Sequence, residues 1–272
     1  MRIREVLTES QAIVVGEKAI GHVYTNGRVT LMNISRLPNR DYTTFENFIH
    51  EIIPSWNLKL SKSPIDVSII VDLEEHKSVS FLQNKYAALS GPNKLCIVLS
   101  FYIIEGSRDN LEQFDQKMDL SGSLWMFLHD VGENIFGFGK FEYFQEYYAA
   151  VGQATTAFIQ KNYVINNSAY SDSHIHYENF LGKIMTMASA RNQDLSKQGM
   201  KEIYIELFVQ IIVKGHIEFT KKLPESFVSG NNTYTINRNY VAQDIVELEN
   251  QIQQIIIRMI NNTRTKPFVF HP

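Results

Sequence analysis

The spacing of apolar and polar positions changes character near residue 105. Before it, short β-rich runs dominate: AIVVG (12–16), IGHVY (20–24) and RVTLMNI (28–34). The Asn26-Gly27 pair between the last two predicts a hairpin turn, because both residues tolerate the positive φ of a tight connection. Asp41–Ile53 places Phe45, Phe48, Ile49 and Ile52 on one helical face, with Thr43 or Thr44 as N-cap and a stop at Pro54. IDVSIIVDL (65–73) predicts a buried strand. VSFLQNKYAALS (79–90) and KLCIVLSFYII (94–104) predict two more strands around the Gly91-Pro92-Asn93 turn.

After about residue 110 the period lengthens to that of helices. Asn110–Ile135, Phe141–Asn162, Tyr177–Asn192, Lys197–Lys221 and Arg238–Asn262 are predicted helical, with Phe136-Gly137-Phe138-Gly139 interrupting the series. The expected fold is α+β: an N-terminal mixed β-sheet with one helix, followed by a mainly helical C-terminal portion. Residues 10–272 are read as a single domain, β-rich over 10–105 and α-rich over 110–265. In the last helix Val241, Ile245, Leu248, Ile252, Ile255 and Met259 form a seam spaced 4, 3, 4, 3 and 4. That is too short for a coiled coil and predicts packing on the preceding helix.

Composition adds exclusions. The chain has 272 residues, 44% of them hydrophobic, enough for a sizeable core and too many for intrinsic disorder. A net charge of -3 gives no overall attraction to nucleic acid or to an acidic membrane. One cysteine, Cys96, rules out an intramolecular disulfide and a Cys-rich zinc module; it sits in an apolar run, as an inert buried thiol does. The longest apolar runs, such as Ile97–Ile104, are far too short to span a bilayer.

The first nine residues, MRIREVLTE, lack the apolar core of a secretory signal, and their acidic residues do not suit a mitochondrial transit peptide. Ile3, Val6 and Leu7 share one face of a short amphipathic helix, with Arg2, Arg4 and Glu5 around it. With Leu7-Thr8-Glu9 followed by Ser10, the segment resembles the N-terminal capsid-targeting peptides of T-even-type tailed phages. Those helices end in a hydrophobic–any–Glu site cut by the prohead protease. The resemblance implies cleavage after Glu9, with Leu7, Glu9 and Ser10 as the processing residues. It also implies prohead components and the prohead protease as partners. The protein would reside in the virion interior, then in the host cytoplasm after ejection, where a host protein could be its target.

The densest cluster of candidate chemistry is Leu124–Asn134. His129 and Glu133 are four residues apart, so on a helix they project from one face and can share a metal ion; imidazole nitrogen and carboxylate oxygen both suit zinc. Asp130 stands beside the first ligand, where a general base would. The stretch resembles the active-site helix of zincin metallopeptidases, whose motif is His-Glu-x-x-His. Here Asp130 replaces the base and Glu133 the second His. The resemblance implies a metal-dependent hydrolase with Asp130 catalytic. A strand hairpin over 79–104 would precede the helix, and the third ligand would be Glu142 or Glu146 from the helix that follows. Equally, the three residues suit the polar side of an amphipathic helix. The His-Asp pair also suggests an HD-type phosphohydrolase, but no second pattern supplies that family's other ligands. His174 and His176 read as a surface pair after N-cap residues Asp172 and Ser173. No Gly-rich phosphate loop occurs, and the basic residues are scattered.

Overall fold

Apolar runs with β-branched residues on both faces need cover on both sides. The structure is a computed structural model; it describes residues 30–33, 53–72, 78–100, 124–135, 141–166, 177–185, 197–219, 223–229, 232–237, 242–263 and 266–270. The expected runs at 12–24, the segment 41–52, residues 110–123, the Phe136–Gly139 break and the His174/His176 pair lie outside these.

The chain divides into two compact units. The first comprises residues 1–131, 212–215 and 260–272. Its sheet joins β1 (Thr30–Asn33), β2 (Asp66–Asp72), β3 (Lys94–Ser100) and β7 (Phe268–Phe270) in the order β1-β2-β3-β7, every pair parallel. Ile69, Ile70, Leu95, Ile97 and Val98 are fully buried, covering both faces of the two central strands. Among the described residues the expected mixed sheet is therefore a parallel one, and β7 comes from the far end of the sequence.

Parallel neighbours need a crossover, and this corrects the reading of 79–90 as a strand. The segment forms helix α2 (Val79–Lys85) and a 3-10 turn (Ala87–Leu89), so no hairpin spans 79–104. Ser78 caps the helix by accepting the Phe81 N–H at 3.2 Å. The alternating pair that mimics a strand, Val79 and Phe81, is exposed at 42% and 43%. The buried stripe runs through Leu82, Tyr86 and Leu89 at helical spacing and packs on Ile70, Cys96 and Val98. Pro54 lies in the first turn of α1 (Ile53–Leu60), where its missing N–H costs nothing. Trp56 of α1 is fully buried and stacks on Phe127 at 5.1 Å.

The C-terminal strand is held in place from two sides. The Asn261 side chain accepts the Asn93 N–H at 2.9 Å and donates to the Asn93 side-chain oxygen at 2.8 Å. Asn93 holds the left-handed backbone at φ 58°, which asparagine tolerates better than most residues. Gln83 donates to the Pro267 carbonyl at 3.2 Å, immediately before β7 pairs with β3.

The second unit comprises residues 132–211 and 216–259. It carries α4 (Phe141–Asn162), β4 (Tyr163–Asn166), α5 (Tyr177–Ile184) and a hairpin of β5 (Ser226–Ser229) and β6 (Asn232–Ile236). It also holds residues 197–211 of α6 (Lys197–Lys214) and 242–259 of α7 (Ala242–Thr263). Strands β4, β6 and β5 form a second, antiparallel sheet that the sequence reading did not anticipate. Helix α6 is buried all round its middle: Ile203, Tyr204, Ile205, Leu207, Phe208, Val209 and Ile211 are buried, and so are the polar Glu206 and Gln210. Phe158, Tyr163, Phe180, Phe227 and Tyr234 form an aromatic cluster under the small sheet, with successive centroids 5.0–5.6 Å apart. The described residues thus give seven helices interleaved with two sheets: the class is α+β, without a clean N-terminal sheet region. No helix among them is long and apolar enough to cross a membrane.

Candidate functional site

The helix carrying the His129 cluster, α3 (Leu124–Ile135), is set by its apolar side. Leu124, Phe127, Leu128 and Val131 are buried at i, i+3, i+4 and i+7. Gly132 extends that side, because a Cβ there would meet Ile205 at 3.0 Å and Phe208 at 3.5 Å. Absence of a side chain is what lets α3 approach α6 at this point. The three candidates occupy what remains: His129 and Glu133 are half-buried and Asp130 is exposed. His129 and Glu133 do sit one turn apart on one continuous helix, as their spacing predicts.

The charge around Glu133 is already answered from the protein. Lys201 of α6 places its ammonium 4.0 Å from the Glu133 carboxylate, and the lysine side chain is only 15% exposed. A metal bound through Glu133 would face that ammonium, and like charges at such range repel. Of the third-ligand candidates, Glu146 is exposed on α4, and the Glu142 side chain lies outside the described residues. Among the described residues no three His, Cys, Asp or Glu side chains group closely enough to hold a metal ion. The residues present offer zinc two ligands and a competing lysine, so no metal-dependent step is derived from them. The hairpin expected before this helix is absent, which removes the architectural part of the zincin resemblance.

Cys96 is buried in β3, and burial pushes its thiol up to about 12. A thiol held neutral in this way is not a nucleophile at physiological pH.

The structure brings together three tyrosines that no sequence spacing links. The Tyr177 hydroxyl donates to the Tyr148 carbonyl at 3.2 Å and shares a hydrogen bond with the Tyr204 hydroxyl at 3.2 Å. Tyr148 in turn donates its hydroxyl to the Glu178 carboxylate. The rings of Tyr177 and Tyr204 lie 5.4 and 5.9 Å from that of Tyr148. Burial, reinforced by the Glu178 hydrogen bond, pushes the Tyr148 phenol up to about 12. Burial is also the chief cause that raises Tyr177 and Tyr204. All three stay protonated near neutral pH, so the cluster donates hydrogen bonds and supplies no base. It ties α4, α5 and α6 together, and Gly152 makes room for it: a Cβ there would lie 2.6 Å from the Tyr177 ring.

No protein-family model matches the chain, and no curated protein and no solved structure matches it.

Proposed function

We propose that the protein is an internal virion protein of a tailed phage, cleaved after Glu9 by the prohead protease and delivered to the host with the genome. The observation that carries this reading is the sequence Ile3-Arg4-Glu5-Val6-Leu7-Thr8-Glu9-Ser10, an amphipathic pattern that ends in a hydrophobic–any–Glu site. Two physical points support it. A net charge of -3 gives no bulk attraction to packaged DNA, so a dedicated address peptide would have to place the chain in the capsid. The first described element begins at Thr30, so removing nine residues takes nothing from the described fold. The mature body of 263 residues then acts as a structural component or binds a host protein.

The test is co-expression of the full chain with the prohead protease of the same phage, read by intact mass and N-terminal sequencing. The reading expects a new N-terminus at Ser10, and Glu9→Gln or Leu7→Asp should block it. An uncut chain, or equal cutting of the Glu9→Gln variant, would overturn it.

A further inference from the structure

Helices α4 and α7 run antiparallel and are tied at two places. Lys161 pairs with Asp244 at 3.0 Å, and the Tyr147 hydroxyl donates to the Arg258 carbonyl at 3.5 Å. The ties are 14 residues apart on each helix. Between them α4 turns Ala150, Ala154 and Ala157 toward this side, at the helical spacing set by Tyr147 and Lys161. Alanines cannot fill the space, and a groove of about 670 Å³ is left, walled by Ala154 and one face of α7.

That face of α7 is complementary to itself. Glu247 and Arg258 both line the groove and are eleven residues apart, about 20° beyond three full turns and about 16 Å along the axis. An identical helix laid antiparallel, about a two-fold axis between positions 252 and 253, puts Glu247 opposite Arg258 of the second copy, and Arg258 opposite its Glu247. The same axis sets Gln251 against Gln254, two amides that each donate and accept. Gln251 also donates to the Glu247 carboxylate at 3.3 Å, which holds the charge on the groove side. Val246, 50% exposed, and Ile255 add apolar surface to the face. A two-fold interface requires this kind of self-complementarity, in which residue i meets j and j meets i.

We infer that the α4–α7 face is the interface of a homodimer, with α7 of each copy pairing antiparallel to the other across this groove. The inference stands apart from the packaging proposal, since it uses only the described second unit. Sedimentation equilibrium of the full chain across micromolar concentrations tests it. The expected species is a dimer of about 63 kDa, twice the 31.4 kDa chain, weakened by added salt. Glu247→Arg or Arg258→Glu alone breaks two exposed ion pairs at once and should raise Kd roughly tenfold or more. The double variant Glu247→Arg/Arg258→Glu restores both pairs with signs exchanged and should recover the dimer. A monomeric wild type would overturn the inference. So would a dimer indifferent to the single reversals, or single reversals that the double variant fails to rescue. Unchanged circular dichroism of each variant separates lost association from lost folding.

Discussion

Gly152→Ala should destabilise the second unit, although alanine is the better helix former. The substitution sits inside α4, where exchanging glycine for alanine ordinarily gains about 1 kcal/mol. Here the new Cβ would lie 2.6 Å from one Tyr177 ring carbon and 3.1 Å from two others. The ring cannot step aside freely, because its hydroxyl is held at 3.2 Å by both the Tyr148 carbonyl and the Tyr204 hydroxyl. Overpacking a buried site costs about 1–3 kcal/mol, and losing one of the two neutral hydrogen bonds costs about 1 kcal/mol more. Set against the helix gain, the net loss is roughly 2 kcal/mol, or a fall of about 4–8 °C in Tm for a chain of this size. Differential scanning calorimetry reads it directly. In a Tyr177→Ala background the space is open, and Gly152→Ala should then stabilise by about 1 kcal/mol, a coupling of about 3 kcal/mol between the two sites. A Tm that rises on Gly152→Ala in the wild-type background, or the same sign in both backgrounds, would refute the packing argument.

Three further outcomes follow from the described groups. Cys96, pushed up to about 12 by burial, should react with iodoacetamide at pH 8 at least about a thousandfold slower than an ordinary exposed thiol; rapid labelling of the native chain would contradict its burial, and full labelling in denaturant is the control. Glu249 accepts the Phe219 N–H at 2.7 Å, and burial raises its carboxyl above the usual range. The folded state therefore holds the proton longer than the unfolded one, so this group's contribution is complete below the ordinary carboxylate pKa and falls as pH rises through the raised value. Glu249→Gln, which keeps the acceptor oxygen, should flatten that part of the urea-midpoint profile and gain on wild type above it; superimposable profiles would refute the assignment. A chain starting at Ser10 should melt within about 2 °C of the full chain, since no described element includes the first nine residues; a larger fall would show that those residues belong to the folded body.

What the sequence revealed follows from how far each pattern is local. Phe141–Asn162 is found at its predicted bounds because about six turns of helical periodicity form a local signal. Asp66–Asp72 and Lys94–Ser100 stand out as β-branched runs buried on both faces. The segment 79–90 misleads because its exposed Val79 and Phe81 alternate like a strand, while its burial follows Leu82, Tyr86 and Leu89. Strands β5 and β6 are short and rich in Ser, Thr and Asn; the sequence signal for pairing them is the Gly230-Asn231 dipeptide between the two runs. β7 has three residues and no period of its own; only pairing with β3 makes it a strand. The predicted seam of α7 drifts as a straight helix must: Leu248, Ile252 and Met259 are buried as expected, but Ile256 and Ile260 complete the core face and Ile255 turns to the groove. In the candidate site, the His129–Glu133 spacing was legible, whereas Lys201 beside Glu133 and the Tyr148, Tyr177 and Tyr204 cluster depend on contacts between distant helices.

Cleavage after Glu9 is tested most directly by the mass of the protein taken from purified virions. The account predicts a chain beginning at Ser10, lighter than the 31.4 kDa full chain by about 1 kDa, nine of its 272 residues. A virion-borne chain that still begins at Met1, or purified virions without the protein, would contradict it.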